Sequence, residues 1–326
     1  MDFMKERILV IPDIHGKDDW KYVVTRGYDK IIFLGDYVDA LSDTYVNSFI
    51  DDIVEHFRLN KIRPTHENVE SLIDNYIDTI HNGVTCKSIL NTYIRSSKSK
   101  DEIIGNLSDI ILYAKKCENV ILLLGNHDLP YLHPLFTKFT CTVTDLNTDY
   151  HRALRDLFVK NWEYFRLLYN MGNIVFSHAG ISEMLWNMFV KFYSNDRITD
   201  IVEIVNNDLI EDTPFNIDFI YDGTFSRTSG FLWHRPYHGE YAKEFIQFIG
   251  HTSYFDTIDE CLQSGLKSNV FLCDILNKQS KFLELIVEDN AIKNIHIVDS
   301  PEKDAVIEKQ FKKYLKIIIK ELAQNK

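Results

Sequence analysis

Apolar residues fall into short unbroken runs along the chain, and several of these runs lead at once into polar clusters. Ile8 to Ile11 leads into Asp13, and Lys30 to Leu34 into Gly35 and Asp36. Val120 to Leu124 leads into Gly125 and Asn126, Ile174 to Phe176 into Ser177 and His178, and Phe245 to Ile249 into Gly250 and His251. Runs of this length without polar alternation predict strands buried on both faces. Three more strands are predicted over Asn269 to Leu272, Phe282 to Val287 and Ile292 to Val298, with Asp289-Asn290 as a hairpin turn between the last two.

A second periodicity, of helical spacing, fills the gaps. Leu107, Ile110, Ile111 and Ala114 predict a crossover helix feeding the strand at Val120. Ser300 and Pro301 predict the N-cap and first position of a terminal helix, with the stripe Ile307, Phe311, Tyr314, Leu315, Ile318 and Leu322 facing a core. Between Asp39 and Gly125, Val46 to Phe57 and Val69 to Ile80 also recur at helical spacing. One helix suffices to join two parallel strands, so residues 41–102 are expected to be a helical insertion near the active edge, either packing decoration or a cap over the site. Strands alternating with helices predict an α/β layer protein. Residues 1–300 are expected to form one domain, with 301–326 as a C-terminal packing helix.

Composition narrows the class. The chain has 326 residues, 45% of them apolar, with a net charge of −12. That balance argues against an extended nucleic-acid footprint, which needs a basic face. It leaves room for a local positive site, since bound divalent cations invert local electrostatics. The five cysteines, Cys86, Cys117, Cys141, Cys261 and Cys273, are dispersed and odd in number, which fits reduced thiols. No apolar stretch resembles a signal peptide or a bilayer span, so a cytoplasmic protein is expected.

The chemistry sits in five clusters: Asp13-Ile14-His15-Gly16, Gly35-Asp36-Tyr37-Val38-Asp39, Gly125-Asn126-His127-Asp128, Ser177-His178-Ala179-Gly180 and Gly250-His251-Thr252. In α/β sheets, active groups gather beyond the carboxyl ends of the strands. Carboxylate, imidazole and amide oxygen together suit Mn²⁺, Fe or Zn²⁺. Two such ions a few ångströms apart clamp the oxygens of an in-line displacement. Each cluster alone has a bland explanation as a turn or a core histidine. Five in order, each ending a predicted strand, do not, because fold stability does not place so many costly polar groups at strand ends.

In this order the motifs resemble those of the calcineurin-like metallophosphoesterase superfamily, and Gly-Asp-Tyr-Val-Asp and Ser-His-Ala-Gly resemble its phosphoprotein phosphatase and diadenosine tetraphosphatase branch. The resemblance spans roughly residues 8–275, interrupted by the insertion. It implies two packed mixed β-sheets flanked by helices, an αββα sandwich, with two divalent metals at the sheet edge, manganese foremost and iron or zinc as alternatives. It implies Asp13 and His15 as ligands of the first metal and Asp36 as the carboxylate shared by both. It implies Asn126, His178 and His251 as ligands of the second. His127 resembles the general acid that protonates the leaving oxygen, and Asp39 the carboxylate that orients and charges it, which agrees with the effect of a carboxylate on a histidine pKa. A water bridging the metals is the implied nucleophile. In Trp233-His234-Arg235-Pro236, Arg235 resembles an arginine that grips the substrate phosphate, as a guanidinium fork suits.

Departures from the pattern bear on specificity. The family often continues Gly-Asp-Tyr-Val-Asp with a second phosphate-gripping arginine, and here that position is Ala40. Arg58, Arg63 or Arg95 from the insertion would be substitutes. The third motif ends in Asp128 where eukaryotic protein phosphatases carry glutamate. The fifth reads Gly250-His251-Thr252-Ser253 and lacks the second histidine of nuclease-like members, which favours the phosphatase branch. Asp274 is read either as a turn residue or as a partner behind the ligands. The expected function is hydrolysis of phosphate monoesters of a phosphoprotein, nucleotide or small metabolite. The alternatives are a nucleotide phosphodiesterase or dinucleoside polyphosphate hydrolase, and, against the intact ligand set, a non-enzymatic scaffold.

Overall fold

A computed structural model describes residues 5–39, 94–132, 149–210, 230 and 232–324, together with 51, 54, 55, 58–61, 68 and 71. The first sheet contains β1 (Lys5–Ile11), β2 (Lys30–Phe33), β3 (Val120–Leu123) and β4 (Phe165–Arg166), which run parallel. The hairpin of β9 (Lys281–Glu288) and β10 (Ala291–Asp299) extends it antiparallel beside β1, giving the order β10-β9-β1-β2-β3-β4. The second sheet contains β5 (Leu168–Met171), β6 (Ile174–Ser177), β7 (Ile246–Ile249) and β8 (Val270–Leu272), in that order. Here β6, β7 and β8 are parallel and β5 is antiparallel to β6. The chain is therefore α/β with two mixed sheets.

Alternate residues of β1 serve two cores. Ile8 and Val10 join Ile32, Leu34 and Leu123 from the first sheet and Phe176, Phe248 and Phe271 from the second, so this core lies between the sheets. Leu9 and Ile11 join Ile31, Phe33 and Leu122 against Ile103, Leu107 and Ile110 of the helix Lys100–Lys116 and Leu154 and Phe158 of the helix Asp149–Lys160. With both faces covered, the apolar runs need no alternation. Each fully buried Leu, Ile or Phe contributes about 1.5–3 kcal/mol of transfer free energy, so this layering supplies the main stabilisation. Phe248 lies face to face with Phe271, ring centroids 4.4 Å apart, which fixes the register of β7 on β8.

The elements mostly follow the sequence pattern. Ser99 caps the helix Lys100–Lys116 through a reciprocal box with Glu102, and its buried face carries Leu107, Ile110, Ile111 and Ala114 as expected. This helix begins within the range assigned to the insertion, so residues 100–102 belong to the crossover helix. The rest of the expected insertion lies largely outside the described residues. Asp289 and Asn290 both adopt positive φ, 52° and 60°, the geometry of a tight hairpin turn. The terminal helix spans Pro301–Gln324 and buries Ile307, Phe311, Leu315 and Ile318, while the Leu322 side chain lies outside the described residues. Ser300 corrects one expectation: its carbonyl accepts from Lys303 and Asp304, but its buried hydroxyl has no partner among the described residues and caps nothing. The pattern did not predict β4, which has two residues, or β5, whose run Leu168-Tyr169-Asn170-Met171 is broken by a polar asparagine.

The start of the terminal helix is fastened to the loop after β1 and to Arg95. Lys303 donates to Asp18, and buried Arg95 donates to Ser280 and Asp304. Cys117, Cys261 and Cys273 are free thiols, and Cys86 and Cys141 lie outside the described residues. Among the described residues, no helix is long and apolar enough to cross a membrane.

Candidate metal centre

The parallel strands of each sheet deliver their polar clusters to one edge. Asp13 and His15 follow β1, Asp36 follows β2, Asn126 follows β3, His178 follows β6 and His251 follows β7. Their donor atoms meet in two groups. Asp13, His15 and Asp36 form one and Asp36, His178 and His251 the other, with all ligand atoms of a group within 4.8 Å of one another. Asp36 belongs to both. Asn126 joins the second group through its Oδ1, 2.8 Å from His178 Nε2.

The loops that present these groups are strained. His15, Asp36, Asp39 and His251 all adopt positive φ, between 43° and 61°. Left-handed backbone costs a residue with a Cβ about 1–2 kcal/mol. Such strain persists only where surrounding contacts over-determine it, and it gathers at functional sites. Two glycines are required by close approach. A Cβ on Gly125 would lie 2.1 Å from Asp36 Oδ1, and one on Gly250 would lie 1.9 Å from Asp13 Oδ1. Asp128 ties two of the loops together. Its carboxylate accepts from the backbone N–H groups of Asp36 (2.9 Å), Tyr37 (2.9 Å) and Gly125 (2.8 Å). The backbone N–H of His251 donates to Asp13, and that of His127 donates to Asp36, so each ligand loop is locked to its neighbour.

The imidazoles are oriented from behind. His15 Nδ1 lies 2.7 Å from the Val38 carbonyl and His178 Nδ1 lies 2.9 Å from that of Leu34. A carbonyl only accepts, so each Nδ1 carries the proton and each Nε2 of the neutral ring points a lone pair inward, as in metal-ligating histidines. Those Nε2 atoms stand 3.6 Å and 3.4 Å from Asp36 Oδ2. Electron-pair donors facing one another at these distances must be bridged by a proton or a cation. His251 Nε2 is also buried and has no hydrogen-bond partner among the described residues. Two carboxylates, three imidazoles and an amide oxygen are a donor set that fits divalent cations of the manganese, iron or zinc kind.

Electrostatics point the same way. Burial raises the Asp36 pKa, but His178 and His127 outweigh it and hold the carboxyl well below its ordinary value. Burial and the neighbouring Asp274 carboxylate push Asp13 well above its own. Burial and Lys17 lower His15 to about 3, and burial and His178 push His251 well below its ordinary value, so both rings favour the neutral form, the one in which an imidazole can ligate a metal. Burial lowers the His178 pKa, but Asp36 and Asp13 outweigh it and hold it raised.

His127 sits beside the first group, its ring 5.2 Å from that of His15. Its Nδ1 is 3.1 Å from Asp39 Oδ2, the pairing expected from the motifs. Burial lowers the His127 pKa, and the Asp36 and Asp39 carboxylates more than reverse this, raising it to about 9. Arg235 lies on the side of the second group, where its Nη1 donates to the His251 carbonyl at 3.2 Å and reaches Thr252 Oγ1 at 3.4 Å. The Trp233 ring stands edge-on to His251 with centroids 5.9 Å apart. Neither described arginine that was considered as a substitute joins the site. Arg95 is engaged by Ser280 and Asp304, Arg58 pairs with Glu55, and Arg63 and Ala40 lie outside the described residues.

Two neighbours, Lys17 and Asp128, were not assigned a role in the sequence, and a third, Asp274, was left between two readings. Lys17 is fully buried with its Nζ on the Ile14 carbonyl, and burial lowers its pKa to about 8 against the pull of Asp274 and Asp19. Asp274 is buried next to Asp13, which favours a place behind the ligands over a surface turn. Asp128 was noted only as a departure from glutamate. A charged residue forced into burial within a few positions of a ligand is the signal that would have flagged Lys17 and Asp128. No family model, curated protein or solved structure matches the chain.

Proposed function

We propose that the chain is a metal-dependent phosphoesterase of the calcineurin-like metallophosphoesterase type, hydrolysing phosphate monoesters. The observation that carries the reading is the Asp36 carboxylate, common to two convergent donor groups at one edge of a two-sheet α/β fold. Asp13, His15 and Asp36 would hold one divalent ion, and Asp36, Asn126, His178 and His251 a second. Bound there, the ions supply Lewis-acid neutralisation of phosphate charge and make water a nucleophile near neutral pH.

The chain's own residues do the rest. With Nδ1 engaged by Asp39, the proton His127 can hand over is the one on Nε2. The Asp39 carboxylate favours the imidazolium, so the acid is loaded before the ester oxygen departs. Arg235, held through Nη1, offers the remaining N–H groups of its fork to a phosphate oxygen. The substrate is a phosphorylated protein, nucleotide or small metabolite.

Hydrolysis of p-nitrophenyl phosphate with added Mn²⁺, in wild type, Asp36→Asn and His127→Ala, tests the reading. Metal-dependent turnover that collapses in Asp36→Asn and falls in His127→Ala supports it. Turnover only of phosphodiesters would move the assignment to a nucleotide phosphodiesterase. Absence of turnover on either class would refute the enzyme.

A further inference from the structure

We propose that Tyr131 is a positioning residue for the proton donor, fixing Asp39 so that one carboxylate oxygen is always presented to His127. This rests on the phosphoesterase reading above and adds to it a residue outside the ligand motifs.

The geometry is a relay of two bonds through one carboxylate. Tyr131 donates its hydroxyl to Asp39 Oδ1 at 2.5 Å, while Asp39 Oδ2 faces His127 Nδ1 at 3.1 Å. A carboxylate held at one oxygen only can swing about its last bond. With both oxygens engaged it has one orientation. Asp39 is in the left-handed region at φ 61°, so its backbone is held away from its relaxed state too.

Tyr131 is itself well fixed. It lies on the short helix Leu129–Leu132, directly after the Gly125-Asn126-His127-Asp128 cluster, and is 2% exposed. Its ring packs on that of His151 at 4.9 Å and on Phe158 at 6.4 Å, both from the helix Asp149–Lys160. The Tyr150 hydroxyl, from the same helix, lies against the Tyr131 hydroxyl and the Asp39 backbone. A buried phenol needs a hydrogen-bond acceptor, and Asp39 provides it. Burial and the Asp39 carboxylate keep the phenol protonated, so it is a donor under all working conditions. A tyrosine present only to fill the core would need its ring and not its hydroxyl.

The leaving group reads the difference. An ester of a good leaving group needs little proton donation, and an ester of a poor one needs the acid fully. The test compares Tyr131→Phe, His127→Ala and the double variant on p-nitrophenyl, phenyl and alkyl phosphates with Mn²⁺. Tyr131→Phe is expected to keep kcat on p-nitrophenyl phosphate within about 3-fold and lose about 10-fold or more on the alkyl ester, with KM unchanged. In the His127→Ala background the same change should add almost nothing, because both residues act through one proton transfer. Equal losses on all three esters, no loss on any, or effects that multiply in the double variant would overturn the assignment. Wild-type protein inert on every ester would overturn the parent reading and this one with it. If Tyr131→Phe does not fold, a crystal structure of the manganese-loaded protein decides. A Tyr131 hydroxyl within hydrogen-bond reach of Asp39 supports the role, and one turned away from it overturns it.

Discussion

The carboxylate of Asp128 offers the sharpest quantitative test of how the ligand loops are held. It is fully buried and accepts three backbone N–H bonds, from Asp36, Tyr37 and Gly125. Asp128→Ala leaves those three donors buried without a partner, at about 1–3 kcal/mol each. Part of that loss is returned, because burial and the nearby Asp36 charge disfavour a charged carboxylate at Asp128 and push its pKa well above the ordinary value. The net destabilisation expected is about 3–5 kcal/mol, in the range for breaking one partner of a buried charged network. Asp128→Asn is intermediate by geometry. Its amide oxygen can take the place of Oδ2 and serve Asp36 and Gly125, but its NH₂ group then meets the Tyr37 N–H, donor against donor. That costs about 1–3 kcal/mol. Urea unfolding of metal-free protein, extrapolated to water, gives the three free energies. The order wild type, Asn, Ala is required. An alanine variant within about 1 kcal/mol of wild type, or an asparagine variant less stable than alanine, would refute the reasoning from these three bonds.

Further outcomes follow from the same geometry. Gly250→Ala would drive a Cβ into Asp13 Oδ1 and should weaken Mn²⁺ affinity at least about 10-fold, measured by calorimetric titration; an unchanged affinity would mean the loop relaxes freely. Because Asp13 and His178 are both held above their ordinary pKa and must lose protons to act as ligands, metal loading should release protons and tighten as pH rises. Calorimetry in buffers of different ionisation enthalpy would contradict this by showing no buffer dependence. Burial raises the Asp18 pKa, but the hydrogen bond from Lys303 outweighs it and leaves the carboxyl lowered. Its contribution is therefore present above the ordinary carboxyl range and is lost as pH falls through the lowered value. Lys303→Met should cost about 1 kcal/mol near neutral pH, a modest figure because Asp18 still meets solvent, and the gap to wild type should close on acidification. A gap that widens in acid would show that the lysine acts by packing instead.

Much of the site was written in the order of residues. Apolar runs that stop at Asp13, Asp36, Asn126, His178 and His251 marked both the strands and the side chains that converge at the candidate site, because strand direction and the position of the residue that follows are one local fact. The hairpin at Asp289-Asn290 and the capped helix after Ser99 were legible or locally determined for the same reason. What escaped was non-local. Tyr131 reaches Asp39 across the loops, and Arg95 ends at Ser280 and Asp304; Asp274 was noticed, but its place beside Asp13 is set only once β8 pairs with β7. Spacing along the chain encodes none of these meetings. Ser300 shows the opposite error: a residue type suited to an N-cap stands at the right position, but its hydroxyl is buried where no backbone N–H meets it.

The central claim is that Asp36 is shared by two metal sites. Metal analysis of the protein equilibrated with Mn²⁺ and freed of excess ion tests it directly, with wild type compared to Asp36→Asn. The account predicts two manganese ions per wild-type chain and loss of both, or binding too weak to survive removal of excess ion, in the variant. Wild type without bound manganese, or a variant that retains both ions, would contradict it.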